Sequence, residues 1–207
     1  MGRCTFRRMG IYLVSVGAQE WFDTDEDEGG RGALAAALGD ELSRRGLPPY
    51  DTVPEAPERV VRGAGLAFEE KLVPPMDGFE ALCRVQLSQE EYAVLCGWSL
   101  LVPFALDDEI WLPVENSYDD TTMVAGAPRV LALAERLARA LGLPVDEIPE
   151  ACDNLDLTMW FLDGEAQRVA AARPGPWAED LDAAFYVALY LRAAQHSLRR
   201  GCPIVYS

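Results

Sequence analysis

Apolar and polar residues alternate along the chain with two different periods. Residues 10 to 16 contain Ile11-Tyr12-Leu13-Val14-Ser15-Val16, a run of β-formers that predicts a buried first strand. Residues 33 to 45 place Leu34, Leu38 and Leu42 at i, i+4 and i+8 and close on Gly46, which predicts a short helix. From 79 to 87 apolar residues recur at every second position, the pattern of a strand ending at Leu87. Ser88-Gln89-Glu90-Glu91 then has capping-box spacing: the Ser88 hydroxyl accepts the N3 amide proton and Glu91 reaches back to the Ser88 amide. A helix to about Cys96 follows, with Gly97 as its stop.

The region from Ser99 to Tyr118 is the most strand-like of the chain. With Asp107-Asp108 as a two-residue turn, it is expected to form a hairpin in which Leu106 faces Glu109 and Phe104 faces Trp111. Pro103 and Pro113 cannot donate to a ladder, so the hairpin should lie at a sheet edge or project from it. Pro128 opens a helix to Leu141, with Val130, Leu133, Ala134, Leu137 and Leu141 on one stripe and Gly142 past its end. A further helix is expected from about Leu155 to Ala172, before Pro174-Gly175-Pro176. The last runs from Glu179 to Arg200 and is apolar almost all round from Ala183 to Leu191, so it belongs at the centre of the fold. Gly201 ends it, and Pro203-Ile204-Val205-Tyr206 reads as a terminal strand placed beside Ile11 to Val16. Residues 46 to 58 hold four prolines and form an irregular connection whose flanks are each too small to fold alone. These elements predict one α+β domain over residues 1–207. Its sheet is antiparallel or mixed and packed by three to four helices, with a buried C-terminal helix followed by a short terminal strand.

Composition narrows the function classes. The chain has 207 residues, 50% of them hydrophobic, and carries 34 Asp+Glu against 18 Lys+Arg for a net charge of −16. That apolar content suffices for a core and argues against disorder. The charge argues against nucleic acid as a partner, because phosphate contacts need clustered Lys and Arg. Seventeen of the basic residues are Arg and one is Lys71, a preference expected of a GC-rich genome and of little functional weight. The sequence Glu69-Glu70-Lys71-Leu72 is not a Walker A loop, and a single histidine, His196, rules out HExxH and any two-histidine zinc site within the chain. No Gly-x-Ser-x-Gly elbow occurs, and Gly63-Ala64-Gly65 lacks the third glycine of a dinucleotide fingerprint. The five cysteines, Cys4, Cys83, Cys96, Cys152 and Cys202, are scattered and odd in number, as expected of reduced thiols. Arg3, Arg7 and Arg8 before the apolar stretch Met9 to Ala18 imitate a signal peptide, but that stretch serves better as the first strand, with Met9 an alternative start. A cytoplasmic chain is therefore expected, and no apolar run approaches the roughly 20 residues of a membrane span.

Candidate chemistry lies in the acidic segments. Glu20 to Glu28 is the densest charge of the protein and adjoins Trp21-Phe22. Asp23, Asp25 and Asp27 have the 1, 3, 5 spacing of an EF-hand loop, but Glu28 stands where glycine is required and Leu34 where glutamate is. No metal and no cofactor are expected. A second set comprises Asp107, Asp108 and Glu109 with Glu115, Asp119 and Asp120, residue types equally suited to turns and to paired-carboxylate chemistry. Asp153 and Asp156, like Glu179 to Asp182, are expected as helix-start charges. His196 with Arg192, Arg199 and Arg200 reads as a structural helix end or, functionally, as a small-anion cluster.

The function expected from these features is a non-catalytic binding or regulatory module, of the inhibitor or immunity type, for a basic protein partner. Trp21, Phe22, Asp23, Asp25, Asp27, Phe104 and Trp111 form its candidate surface, aromatic anchors set beside complementary charge. The second reading is a carboxylate-dependent enzyme, metal-assisted or not, acting on a small substrate.

Overall fold

The first and last described strands pair inside one sheet. In the computed structural model, which describes residues 10–25, 30–116 and 119–207, strand β1 (Ile11–Ser15) pairs antiparallel with β6 (Ile204–Tyr206), Leu13 opposite Tyr206 and Ser15 opposite Ile204. β2 (Glu69–Leu72) flanks β1 on the outside. On the other side of β6 lie β3 (Leu100–Val102), β5 (Thr122–Gly126) and β4 (Ile110–Leu112), giving the order β2-β1-β6-β3-β5-β4. Among the described strands only β3 and β5 run parallel, so the sheet is mixed and the domain α+β.

Helices cover both faces. On one side α1 (Ala18–Phe22) and α2 (Gly32–Arg44) bury Trp21, Leu34, Leu38 and Leu42 against Val102, Val124 and Ile110. On the other lie α3 (Asp77–Gln86), α4 (Gln89–Gly97), α5 (Ala127–Leu141), α6 (Asp156–Leu162), α7 (Glu165–Ala172), α8 (Pro176–Glu179) and α9 (Leu181–Arg200). α9 is buried on every side from Ala183 to Ala194, packing against α5, α3, α6 and α8, as its all-round apolar sequence requires. Asp180 caps it by accepting from Ala183 N–H, and Gly201 closes it in the left-handed region at φ 68°. The capping box of α4 forms in full, and α5 carries its proline in the first turn and ends on Gly142 at φ 63°. Residues 47–57 hold neither helix nor strand.

Four local expectations are corrected. Residues 79–86 form the body of α3 and not a strand, with Leu87 as its C-cap. Phe79, Cys83 and Leu87 are four apart, so they satisfy both an alternating and a helical pattern. The residues that separate the two patterns, Ala81 and Val85, are exposed. The hairpin expected over 99–118, of which 117 and 118 lie outside the described residues, is not formed by β3 and β4, because β5 lies between them and pairs with both. The chain leaving β3 crosses the end of β5 and returns on its far side. Gly126 permits that crossing, since a Cβ there would come within 2.7 Å of the Phe104 carbonyl oxygen and 3.0 Å of Leu106 N. Gly126→Ala is expected to cost roughly 1–3 kcal/mol by overpacking a backbone crossing, read as a lowered midpoint in denaturant unfolding. The helix expected over 155–172 is broken into α6 and α7 at Gly164, which sits at φ 97°. The last helix starts later than expected, Asp180 separating α8 from α9.

Candidate functional site: acidic segments, an open sheet edge and buried carboxylates

The first acidic segment leaves α1 and is tied back to α2. Arg31 N–H donates to Glu20 O at 2.8 Å, Gly32 N–H to Asp23 O at 2.7 Å, and Gly30 N–H to Asp25 O at 2.9 Å. The Asp23 carboxylate accepts from Asp25 N–H at 3.0 Å, a turn built on its own side chain, and Arg31 pairs with Glu20 at 3.2 Å. Asp25 and Phe22 are exposed and Asp23 half-buried. Asp27 lies outside the described residues. Trp21, in contrast, is buried to 1% exposure and meets Tyr50 edge-on at 5.9 Å, and Tyr50 meets Phe104 at 5.2 Å. Trp21 and Phe104 thus share an aromatic stack through Tyr50, a role in packing that their sequence neighbours do not reveal.

Trp111 stands apart from them. It is opposite Met123 in register, on the α5 face of the sheet, whereas α1 covers the other face. Its neighbours Ile110 and Leu112 point into the core while Trp111 is 64% exposed on the outermost strand. Asp107, Asp108, Glu115, Asp119 and Asp120, which flank it in sequence, are exposed as well. Glu109 pairs with Arg129 at 2.7 Å, joining the start of β4 to α5.

An open cavity of about 480 Å³ lies where the two acidic segments approach each other, lined among others by Arg31, Ser99, Glu115, Asn116 and Thr122. Two of its hydroxyls serve the protein's own backbone: Ser99 Oγ accepts from Met123 N–H and Thr122 Oγ1 donates to Val114 O.

A third group of carboxylates is buried. Asp153 does not cap a helix as expected. It accepts from Gly65, Leu66 and Ala67 N–H at 2.8, 2.8 and 3.0 Å, filling a nest of successive backbone amides. Burial pushes its carboxyl up, but those three amides outweigh burial and hold it below the ordinary carboxylate range. The start of α6 is instead occupied by Glu70 from β2, which accepts from Leu157 N–H, Thr158 N–H and Thr158 Oγ1 at 2.7–2.8 Å. Glu70 is fully buried, and burial drives its carboxyl up to about 7 against the hydrogen bonds that favour its charged form. Asp156 is held by Arg62 Nε.

Compared with protein-family models, curated proteins and solved structures, the chain matches none.

The buried carboxylates have too little accessible surface to meet a substrate, Glu70 least of all. Among the described residues no three His, Cys, Asp or Glu side chains gather as a metal site requires. Two of the basic residues of α9 are engaged by the protein itself: Arg192 turns inward to the Val145 and Ile148 carbonyls, and Arg199 pairs with Glu150. His196 is buried beside Phe68 with neither ring nitrogen hydrogen-bonded among the described residues. Burial, seconded by Arg199 and Arg200, lowers its pKa to about 4. The described cysteines, Cys83, Cys96, Cys152 and Cys202, are free thiols, and no helix among the described residues is long and apolar enough to cross a membrane.

Of the residues singled out in the sequence, the fold links the buried Trp21 to the half-buried Phe104 through Tyr50 and sets Phe22 and Trp111 on opposite layers. Glu70 escaped notice, although a signal existed. In Phe68-Glu69-Glu70-Lys71-Leu72 a strand phase puts Glu70 on the same side as two apolar residues.

Proposed function

We propose that this protein is a non-catalytic binding or regulatory module for a basic protein partner. One observation carries the reading. The exposed aromatics of the acidic segments, Phe22 and Trp111, stand among solvent-facing carboxylates, while the carboxylates with perturbed environments are spent on holding the chain together. An exposed aromatic supplies area to bury, and surrounding charge of one sign accelerates encounter with a partner of the other. The enzymatic reading finds no matching convergence: Asp107, Asp108, Glu115, Asp119 and Asp120 are exposed, and no described group of three fits a metal. An inhibitor or immunity role is one form the binding function takes.

The test is affinity purification on the full chain at low and high salt. It is run beside a variant with Asp23, Asp25, Glu26, Asp27 and Glu28 replaced by Asn or Gln. A basic partner is expected to be retained at low salt, released by high salt, and to associate roughly tenfold more slowly with the variant. Retention of every partner by the variant, with unchanged rates and salt response, overturns the reading.

A further inference from the structure

The two edges of the sheet are treated differently. At the β2 edge the chain covers itself. Glu69 N–H donates to Cys152 O, Leu155 N–H to Glu69 O, and Lys71 N–H to Thr158 Oγ1. Covering is an ordinary way of blunting a strand that would otherwise pair with another chain. β4, last in the strand order at the opposite edge, pairs with no further described strand.

Register fixes what this edge presents. Met123 turns both backbone groups towards β3, its carbonyl accepting from Ser99 N–H at 2.9 Å and its N–H donating to Ser99 Oγ at 3.2 Å. Residues opposite one another in an antiparallel pair either exchange both hydrogen bonds or both turn away. Trp111, opposite Met123, therefore directs its N–H and C=O out of the sheet, while Ile110 and Leu112 face β5. The window is short and framed. Arg45 donates to the Asp108 and Glu109 carbonyls at 3.4 and 3.3 Å on one side, and Pro113, which has no N–H, follows on the other.

Charge selects the occupant. The exposed Asp107 and Asp108 precede the strand, and Glu115, Asp119 and Asp120 follow it, while Glu109 is already paired with Arg129. A second copy pairing β4 with β4 would bring two such sets together in molecules of net charge −16, whereas a basic segment gains from the same carboxylates. We propose that the β4 edge receives an extended Lys- or Arg-rich segment of the protein partner as an added strand. One residue of that segment exchanges both backbone hydrogen bonds with Trp111. The side chains of such a pair lie on one face with Cα atoms about 5.5 Å apart. A Lys or Arg there lies beside the exposed indole, where cation–π attraction favours it. This inference rests on the reading of the protein as an acidic binding module, to which it adds a place and a mode.

The test uses the full chain and two short blocked peptides of alternating Arg and Val, one plain and one with every backbone amide N-methylated, titrated calorimetrically at low and high salt. The plain peptide is expected to bind at low salt, and N-methylation and Trp111→Ala are each expected to weaken it roughly tenfold. Equal binding of both peptides, abolished by salt, overturns the strand addition while leaving the acidic-surface reading in place. Binding by neither peptide also overturns it, and the partner experiment then decides the broader reading alone. A concentration-dependent dimer in light scattering that Trp111→Lys abolishes would assign the edge to a second copy and overturn the inference.

Discussion

Replacing Asp153 by alanine is expected to destabilise the fold by roughly 3 kcal/mol, read as a lower midpoint in chemical denaturation at unchanged m-value. The carboxylate is 1% exposed and is the acceptor for three consecutive amides, those of Gly65, Leu66 and Ala67. Its removal strands donors in a partly buried loop, and a stranded donor costs more than an average hydrogen bond contributes. The loop is where the chain enters β2, so amide exchange at residues 65–67 should accelerate in the variant before exchange in α9 does. Asp153→Asn separates geometry from charge. Oδ1 accepts from Leu66 and Ala67 and Oδ2 from Gly65, so the amide retains an acceptor for two of the three and should lose about half as much. The pH dependence has a definite sign. With its folded pKa below the ordinary 3.8, Asp153 contributes stability that is present above that value and lost as pH falls through the folded pKa. An alanine variant as stable as the parent at neutral pH would show that the carboxylate does not hold the loop.

Legibility in the sequence followed the range of the interaction. The buried α9, the capping box at Ser88, the proline-led α5 and the terminal strand beside β1 are set by periodicity, by neighbours a few residues apart, or by an apolar run that must pair somewhere inside. The hairpin expected over 99–118 is not legible because Asp107-Asp108 has the composition of a two-residue turn, while the deciding contact is at Gly126, distant in sequence, which lets the chain cross the end of β5. Region 79–87 failed because residues four apart satisfy both periods at once. The buried carboxylates were the least legible. Nothing in Asp153 distinguishes it from a helix-start charge until the Gly63-Ala64-Gly65 turn, with φ of 78° and 67° at its glycines, is seen to aim its following amides at it. That same glycine pair lacks the third glycine of a dinucleotide loop, and the fold uses the resulting nest for an anion of its own. The exposed members of the acidic segments, Phe22 and Trp111, stayed at the surface, but the division between them and the packed Trp21 and Phe104 depends on Tyr50, which the sequence offers no reason to select.

Between about pH 5.5 and 6.5, above the range in which the lowered carboxyls of Glu41 and Glu91 add a slope of their own, folding stability is expected to be nearly flat in the wild-type protein and steep, with opposite slopes, in two single variants. Glu70 is raised from 4.5 to about 7 by burial beside Asp156, despite the donors of Leu157 and Thr158. A carboxyl whose folded pKa is raised contributes stability that is complete below its unfolded pKa and is lost as pH rises through the folded one, here over the window from 4.5 to 7. His196 is lowered from 6.5 to about 4 by burial and by Arg199 and Arg200, with Asp153 opposing. Its contribution is complete above 6.5 and is lost as pH falls towards 4. Each gap corresponds to roughly 3 kcal/mol at full development. Where the windows overlap, one proton bound on folding at Glu70 is matched by one released at His196, so the slopes cancel. Glu70→Gln removes the first term, and stability should then rise with pH by about 1.4 kcal/mol per unit across the overlap. His196→Phe, placed against the ring of Phe68, removes the second and two buried nitrogens without hydrogen-bond partners, and stability should then fall with pH at a similar rate. The double variant should be flat again, because the two slopes belong to different groups. Denaturant titrations of the four proteins at closely spaced pH values measure all four slopes. A flat Glu70→Gln profile would mean that His196 takes up its proton in the folded state as readily as in the unfolded chain.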